Sequence, residues 1–340
     1  MAYTTINKSS EYFNTKLYAG TGATQSITGV NFQPDLVWIK NRQDTYNNHL
    51  FDVIRGVEKE IRTDDTTAES TMSGSLTSFD SDGFSLGNDS AINGSGNTYA
   101  SWNWLGGGTG VSNTDGSITS TVSASTTSGF SIVSYTGTGS NATVGHGLGV
   151  APSLIITKSL VATQEWCVYH KSLGATKYLF LNEDTAEQTG SVYWQDTAPT
   201  PSLFSVGTSG PTNSTSAMIA YCFAEKKGFS KFGSYVGNGS TDGTFVYTGF
   251  KPAFILIKRS ASTAAGWCIF DNKRDGYNPN KLLLANNTNV ESSPNFDIVS
   301  NGFKTRTADG EWNGSGSTYI YMAFAENPLV GTNGVPATAR

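Results

Sequence analysis

Pro34-Asp-Leu-Val-Trp-Ile-Lys40 returns as Pro152-Ser-Leu-Ile-Ile-Thr-Lys158 and again as Pro252-Ala-Phe-Ile-Leu-Ile-Lys258. Proline stands at the entrance of each run, where a strand loses least from its missing N–H. The nearly unbroken apolar character that follows reads as a strand covered on both faces, as at the centre of a sandwich. Fourteen or fifteen residues upstream of each proline lies the first glycine of a Tyr-x-Gly-x-Gly segment: Tyr18 with Gly20 and Gly22, Tyr135 with Gly137 and Gly139, Tyr235 with Gly237 and Gly239. Each is a strand running into a turn. Twelve or thirteen residues beyond each lysine a second aromatic strand ends on Asp52, His170 or Asp271. A polar turn closes each set: Asn93-Gly-Ser-Gly-Asn-Thr-Tyr99, the looser Asn213-Ser-Thr-Ser-Ala-Met218, and Asn313-Gly-Ser-Gly-Ser-Thr-Tyr319.

Four landmarks in one order, three times, predict an all-β chain of three tandem antiparallel β-sandwich, jelly-roll-like repeats of about 100 residues. The expected units are an N-terminal arm (1–12), repeat 1 (13–105), a Gly/Ser/Thr linker (106–128), repeat 2 (129–227), repeat 3 (228–330) and a C-terminal tail (331–340). The linker is too polar to make a core and reads as a flexible or β-edge connector. Only Glu225-Lys-Lys-Gly228 separates repeats 2 and 3, which predicts that they pack as a rigid pair.

Composition agrees. Of 340 residues 38 are glycine and only 14% are charged, so polarity comes from Ser, Thr and Asn, and long helices are excluded. Seven Trp, fifteen Tyr and eighteen Phe supply apolar area for several cores and argue against disorder. A net charge of −5 without dense basic runs predicts no nucleic-acid partner. The opening MAYTTINKSSEYFN lacks a signal-peptide pattern, and no run of eighteen apolar residues occurs, so neither signal-directed export nor membrane insertion is expected.

Catalytic chemistry finds little footing in the residues. His49, His146 and His170 have no second imidazole or cysteine at ligand spacing, so no metal and no cofactor is expected. His170 replaces the aspartates of the other copies, which predicts a strand-end hydrogen-bonding role. Cys167 and Cys268 follow tryptophans at equivalent positions and read as buried thiols, while Cys222 corresponds to Ala323, so pairing is no part of the repeat; three cysteines fit assembly in a reducing cytoplasm. No G-x-S-x-G elbow occurs. Among Asp35, Asp52, Glu58, Asp64 and Asp65 nothing singles out an acid pair, and Glu225 and Glu326 are equivalent across copies. Asp80-Ser-Asp82-Gly83 opens like a calcium loop but has Ala91 where the closing carboxylate belongs. The Asn-x-Ser/Thr triplets at Asn93, Asn141, Asn238 and Asn313 are expected by chance in such a composition. No catalytic residue is therefore predicted. Tyr193, Trp194, Tyr277 and Trp312 lie near polar turns and are the candidate surface-binding residues, since a ring face stacks on a sugar while Asn, Asp and Ser fix its hydroxyls; the alternative for them is plugging sandwich ends.

Pro34-Asp-Leu-Val-Trp-Ile-Lys-Asn-Arg42, Gly233-Ser-Tyr-Val-Gly-Asn-Gly-Ser-Thr-Asp-Gly243, Asp271-Asn-Lys-Arg-Asp-Gly-Tyr277 and Tyr319-Ile-Tyr-Met-Ala-Phe-Ala-Glu-Asn-Pro328 resemble a family of repeat proteins of marine tailed phages, cyanophages included. The resemblance runs from about Phe13 to Pro328 and implies a structural component of a virion, assembled in the host cytoplasm. The expectation is a non-enzymatic tail fibre or adhesin-like appendage, partnered by other virion proteins, by further copies of itself and by a host surface glycan. A head decoration protein bound to the capsid lattice is the alternative, with Met1 to Asn14 as docking arm in either case; a glycan depolymerase is disfavoured.

Overall fold

The three proline-to-lysine runs lie inside three equivalent sheets that share one core. The structure, a computed structural model, describes residues 4–261 and 265–330; the expected tail 331–340 lies outside the described residues. In repeat 1 the strands are β1 (Phe13–Ala19), β2 (Gln25–Thr28), β3 (Leu36–Asn41), β4 (Asn48–Asp52), β5 (Lys59–Arg62), β6 (Ser70–Thr71), β7 (Leu76–Asp80), β8 (Gly83–Leu86) and β9 (Thr98–Trp104). Repeat 2 comprises β10 (Val111–Asn113), β11 (Ser120–Ser125), β12 (Phe130–Thr136), β13 (Ala142–Gly145), β14 (Leu154–Ser159), β15 (Cys167–His170), β16 (Lys177–Phe180), β17 (Gln188–Thr189), β18 (Leu203–Val206) and β19 (Ala217–Phe223). Repeat 3 comprises β20 (Ser230–Val236), β21 (Phe245–Tyr247), β22 (Phe250–Arg259), β23 (Trp267–Asp271), β24 (Leu283–Leu284), β25 (Phe296–Val299), β26 (Gly302–Thr305) and β27 (Thr318–Pro328).

Each repeat is a sandwich of one large and one small antiparallel sheet. The large sheets run β1-β9-β3-β4-β5-β6, β10-β11-β12-β19-β14-β15-β16-β17 and β20-β27-β22-β23-β24; the small ones run β2-β8-β7, β13-β18 and β21-β26-β25. The chain is all-β, as expected. One feature differs from the expectation. Strands β3, β4 and β5 are consecutive neighbours in one sheet, a meander, where the paired Greek keys of a jelly roll would send successive strands to opposite sheets. Gly106–Ser128 takes the β-edge form of its two expected ones: β10 and β11 extend the large sheet of repeat 2, with β11 paired along β12.

The central strands are apolar on both faces because each face meets a different core. Val37 and Ile39 of β3 point outward into the sandwich with the small sheet of repeat 1, while Leu36 and Trp38 point inward to a cluster built by all three large sheets. At one end of that shared core Trp104, Phe223 and Phe324, equivalent residues of β9, β19 and β27, form a triangle of rings with centroids 6.2, 6.0 and 5.8 Å apart. Edge-to-face aromatic pairs of this kind contribute about 0.5–1.5 kcal/mol each beyond their burial. The polar residues that recur in the sequence close the same triangle.

At the ring end of the core, Asp52 of repeat 1 accepts from Tyr221 of repeat 2 (2.7 Å), His170 of repeat 2 reaches the Tyr321 carbonyl of repeat 3 (3.2 Å), and Asp271 of repeat 3 accepts from Trp102 of repeat 1 (3.1 Å). At the other end Asn48, Trp166 and Trp267, again equivalent, donate to the carbonyls of Leu284, Arg62 and Phe180, each in the neighbouring copy. Lys40, Lys158 and Lys258 are buried beside them, and their ammonium groups donate to the carbonyls of Thr288, Thr66 and Asp184 across the same three seams. Loss of water pushes all three lysines down to about 8.

The glycine-rich turns are fastened by the asparagines that close each set. The side-chain oxygens of Asn93, Asn213 and Asn313 accept from the backbone N–H of Thr21, Thr138 and Asn238, while their amides donate to the carbonyls of Gly87, Gly207 and Thr307. Gly22, Gly139 and Gly239 hold positive φ in these turns, which is why the second glycine of Tyr-x-Gly-x-Gly recurs. Within the expected N-terminal arm, the described residues from 4 onward pack on this body: Ile6 is buried in the shared core, and Tyr12 meets Phe229 edge-on at 6.0 Å.

Candidate binding surface

The three small sheets face outward from the shared core, and alternation along a strand decides what each one shows to solvent. In β21, Val246 points into repeat 3 while Phe245 and Tyr247 point out, 47% and 54% exposed. Strand pairing places Ser26 and Thr28 of β2, and Thr143 and Gly145 of β13, at the equivalent positions. Only the third copy carries rings there.

The surroundings of these positions differ in the same way. In repeat 1 Ser26 bonds Ser85 (2.9 Å), which donates to Asp80 (2.7 Å), so the face is a satisfied polar ladder. In repeat 2 the segment before β11 lies against it: Thr143 accepts from Ser117 N–H (2.9 Å), and Ile118 bridges to Val144. In repeat 3 Phe245 stands opposite Lys304 and then Asp297 across the sheet, and Tyr247 stands opposite Gly302 and then Val299. The Phe245 ring leans over Gly302, with its Cε2 atom 3.2 Å from where a β-carbon would sit. Two ion pairs frame the rings, Lys304 with Asp242 at 2.5 Å and Arg306 with Asp297 at 3.3 Å. The first holds the Asp242 carboxyl below its ordinary range.

Of the four residues expected at a binding surface, Tyr277 is 84% exposed. The side chain of its neighbour Asn278 makes two hydrogen bonds to the backbone of Ile298, both 2.9 Å, and Asn280 N–H donates to the Phe296 carbonyl, so this loop is fastened beside β25. The exposed aromatic side chains among the described residues are thus Phe245 and Tyr247 on β21 and Tyr277 in the loop beside β25, all in repeat 3. Trp194 and Trp312 are not at the surface but follow the alternative of plugging the sandwiches: both are buried, Trp194 edge-on to Tyr169 at 6.0 Å and Trp312 edge-on to Phe270 at 6.0 Å. Trp194 sits on the single helical turn Ser191–Trp194, which swings the ring inward although its sequence neighbours are polar. Tyr193 is half-buried and stacked on Tyr178 at 3.7 Å. Sequence reading passed over Phe245 and Tyr247 because a three-residue strand gives too short an alternation to identify; comparing the copies at those positions was the usable signal.

The acidic residues considered in the sequence have structural partners. Asp52 and Asp271 each bind the arginine three residues on, Arg55 and Arg274. Asp35 accepts from the N–H of Gly106 and Gly108, Asp64 from that of Asn48, Glu58 from that of Gly74, and Asp82 from those of Gly29 and Asn31. Asp65 accepts from the Thr67 N–H and lies near Arg62. Glu225 pairs with Lys171, and Glu326 with Lys251. His146 bridges the Thr200 carbonyl and the Leu148 N–H. The three cysteines are free and buried. Repeat 1 departs from the others in a buried His49–Glu60 pair (2.5 Å) joined by Arg62, where repeat 2 has Cys167, Tyr178 and Phe180. Against burial, which raises it, the bonds from His49 and Arg62 pull Glu60 down to about 2. An open polar cleft of about 430 Å³ lies between repeats 2 and 3 at the lysine end, lined by Asn182, Glu183, Asp184, Asn286, Asn287 and Glu311 among others.

A family model described as a domain of unknown function, DUF7483, matches residues 8–328. The chain belongs to the DUF7483 family. No curated protein and no solved structure matches it. The DUF7483 match begins beside the helical turn Ser9–Glu11 and ends with β27, so the family unit is the closed three-sandwich body and not one repeat.

Proposed function

We propose that this chain is a non-enzymatic structural protein of a bacteriophage virion, a tail-associated fibre-type or adhesin-like appendage built from three copies of one sandwich repeat. The observation that carries the reading is a symmetric core under an asymmetric surface. Three copies keep inter-repeat bonds at the same positions, yet the exposed rings among the described residues gather on the third. Selection for stability alone gives no reason for that difference. The segment before β1 and the end of β27 both emerge at the end marked by Trp104, Phe223 and Phe324, while the Asn-fastened glycine turns lie at the other. Attachment through the first end leaves the small sheets and the turns facing away from the particle. Its partners in this reading are other virion proteins, further copies of the chain and a host surface glycan, with multivalent display raising effective concentration.

Immunogold labelling of intact particles with an antibody to the folded chain tests it. Label at the tail is the expected result. Label on the head lattice replaces the appendage with a decoration protein, and no label on purified particles overturns the virion reading.

A further inference from the structure

We infer that the outer face of the β21-β26-β25 sheet is a binding site for an uncharged pyranose oligosaccharide, with Phe245 and Tyr247 as its stacking platform. The inference deepens the appendage reading and rests on it only for where the glycan comes from, a host surface. Four observations on this face carry it.

First, the fold does not require rings here: the equivalent positions hold Ser26 and Thr28 in one copy and Thr143 and Gly145 in another, on strands of the same pairing. Second, the rings are pre-placed. Side chains two apart on a strand lie about 7 Å from each other on one face, and Phe245 is steadied over the bare backbone of Gly302, so little side-chain freedom is lost on binding. Third, the rim is polar and balanced. Asp242 with Lys304 and Asp297 with Arg306 offer both donors and acceptors and carry no net charge. A hydroxyl-rich neutral ligand matches that rim, whereas an anionic polymer would meet two carboxylates beside its phosphate or sulfate groups. Fourth, a second copy of this chain is a poor occupant. The apolar part of the face is two half-exposed rings and Val299, well short of the roughly 800 Å² per partner that stable protein interfaces bury.

The test is titration of the purified chain against an array of neutral oligosaccharides (β- and α-glucans, mannans, galactans), with heparin as the anionic contrast, followed by calorimetry on the best binder. Wild type is expected to bind at least one neutral oligosaccharide and to prefer it to heparin. F245A and Y247A are each expected to weaken binding about 3- to 10-fold, the double variant to abolish it, and Y247F to retain it, because stacking needs the ring and not the hydroxyl. Ser26→Ala and Ser85→Ala in repeat 1 are expected to leave it unchanged. Unchanged near-ultraviolet dichroism of the double variant separates loss of the site from loss of the fold. Binding that survives in the folded double variant overturns the site; no binding to any neutral member of the array, or a preference for heparin, overturns the ligand class; concentration-dependent dimers that F245A/Y247A dissolve overturn both in favour of self-association. None of these depends on where the protein sits in a particle, so failure here is distinguishable from failure of the labelling experiment.

Discussion

The inward faces of the three large sheets and the outward faces of the three small ones come from the same repeat, yet they have fared differently. Inward, equivalent residues keep equivalent tasks even when their identity changes: Asn48, Trp166 and Trp267 differ in size and chemistry, and each donates to the same carbonyl position of the neighbouring copy. Outward, Ser26, Thr143 and Phe245 share a position and nothing else. The physical cause is closure. A residue at the seam must satisfy a neighbour's buried backbone as well as its own, and an unsatisfied buried group costs about 1–3 kcal/mol; a residue on the outer face answers only to water.

His170 shows how tight the inner constraint is. Asp52 and Asp271 find hydroxyl or indole donors in Tyr221 and Trp102, but the equivalent residue in repeat 3 is Met322, which has none to give. A carboxylate there would be buried without a partner, and Leu173 stands where Arg55 and Arg274 balance the other two. A neutral imidazole resolves this: Nε2–H donates to the Tyr321 carbonyl and Nδ1 accepts from the Ser172 N–H. Burial lowers its pKa to about 4.

The largest effect is expected from Trp102→Ala, which removes a fully buried ring, the bond to Asp271 and the Arg274 guanidinium's seat 5.9 Å from the ring centroid. A loss of about 3–5 kcal/mol is expected, from the cavity and the lost indole donor to Asp271 together. Urea unfolding measures it, and one transition across all three repeats should accompany it, since the core is shared. Separate transitions, with only repeat 1 affected, would break the comparison by showing three independent sandwiches.

Next is Asn313→Ala. The side chain holds Asn238 N–H and the Thr307 and Ser240 carbonyls at once, so about 2–3 kcal/mol is expected. Hydrogen exchange should show the loss concentrated at Gly237–Asp242, and an effect spread evenly over the chain would argue against a local clamp.

These two residues also mark how far the sequence could be read. The recurrence of Asn93, Asn213 and Asn313, far along the chain from the glycine turns they fasten, was visible, and so was each lysine at the end of its apolar run. That both belong to the mechanics of closure was not, because an apolar run covered on both sides looks the same whether the second cover is its own small sheet or another repeat. Trp194 and Trp312 misled for a related reason: a one-turn helix or a tight turn reverses a side chain within a residue or two, and polar neighbours in sequence say nothing about which way the ring then points. Tyr277 sat in a loop long enough for its exposure to follow.

The lysine seams come third. A folded pKa of about 8 against about 10.5 unfolded means that the unfolded chain binds more protons between those values, so stability rises with pH through that window. Above pH 10 the trend reverses, because buried Tyr18, Tyr135 and Tyr235 are held well above their ordinary pKa and ionise only on unfolding. Lys258→Met should reduce the rise between pH 8 and 9.5 by about a third, roughly 1 kcal/mol per pH unit. Denaturant midpoints over that range measure it, and an unchanged slope would mean that the seam ammonium groups stay hydrated.

The smallest effect is expected outside, from F245S/Y247T, which gives repeat 3 the residues of repeat 1. Both rings are about half exposed, neither donates nor accepts within the protein, and the strand pairing does not depend on them, so the change in unfolding free energy should stay within about 0.5 kcal/mol. The same double change is expected to remove oligosaccharide binding. A surface under no structural demand that nevertheless carries two rings implies a demand of another kind, and this variant separates the two. Should it instead unfold with a loss comparable to Asn313→Ala, the rings are a stabilising cover for Gly302 and Val246, and the difference between the three outer faces is one of packing rather than recognition.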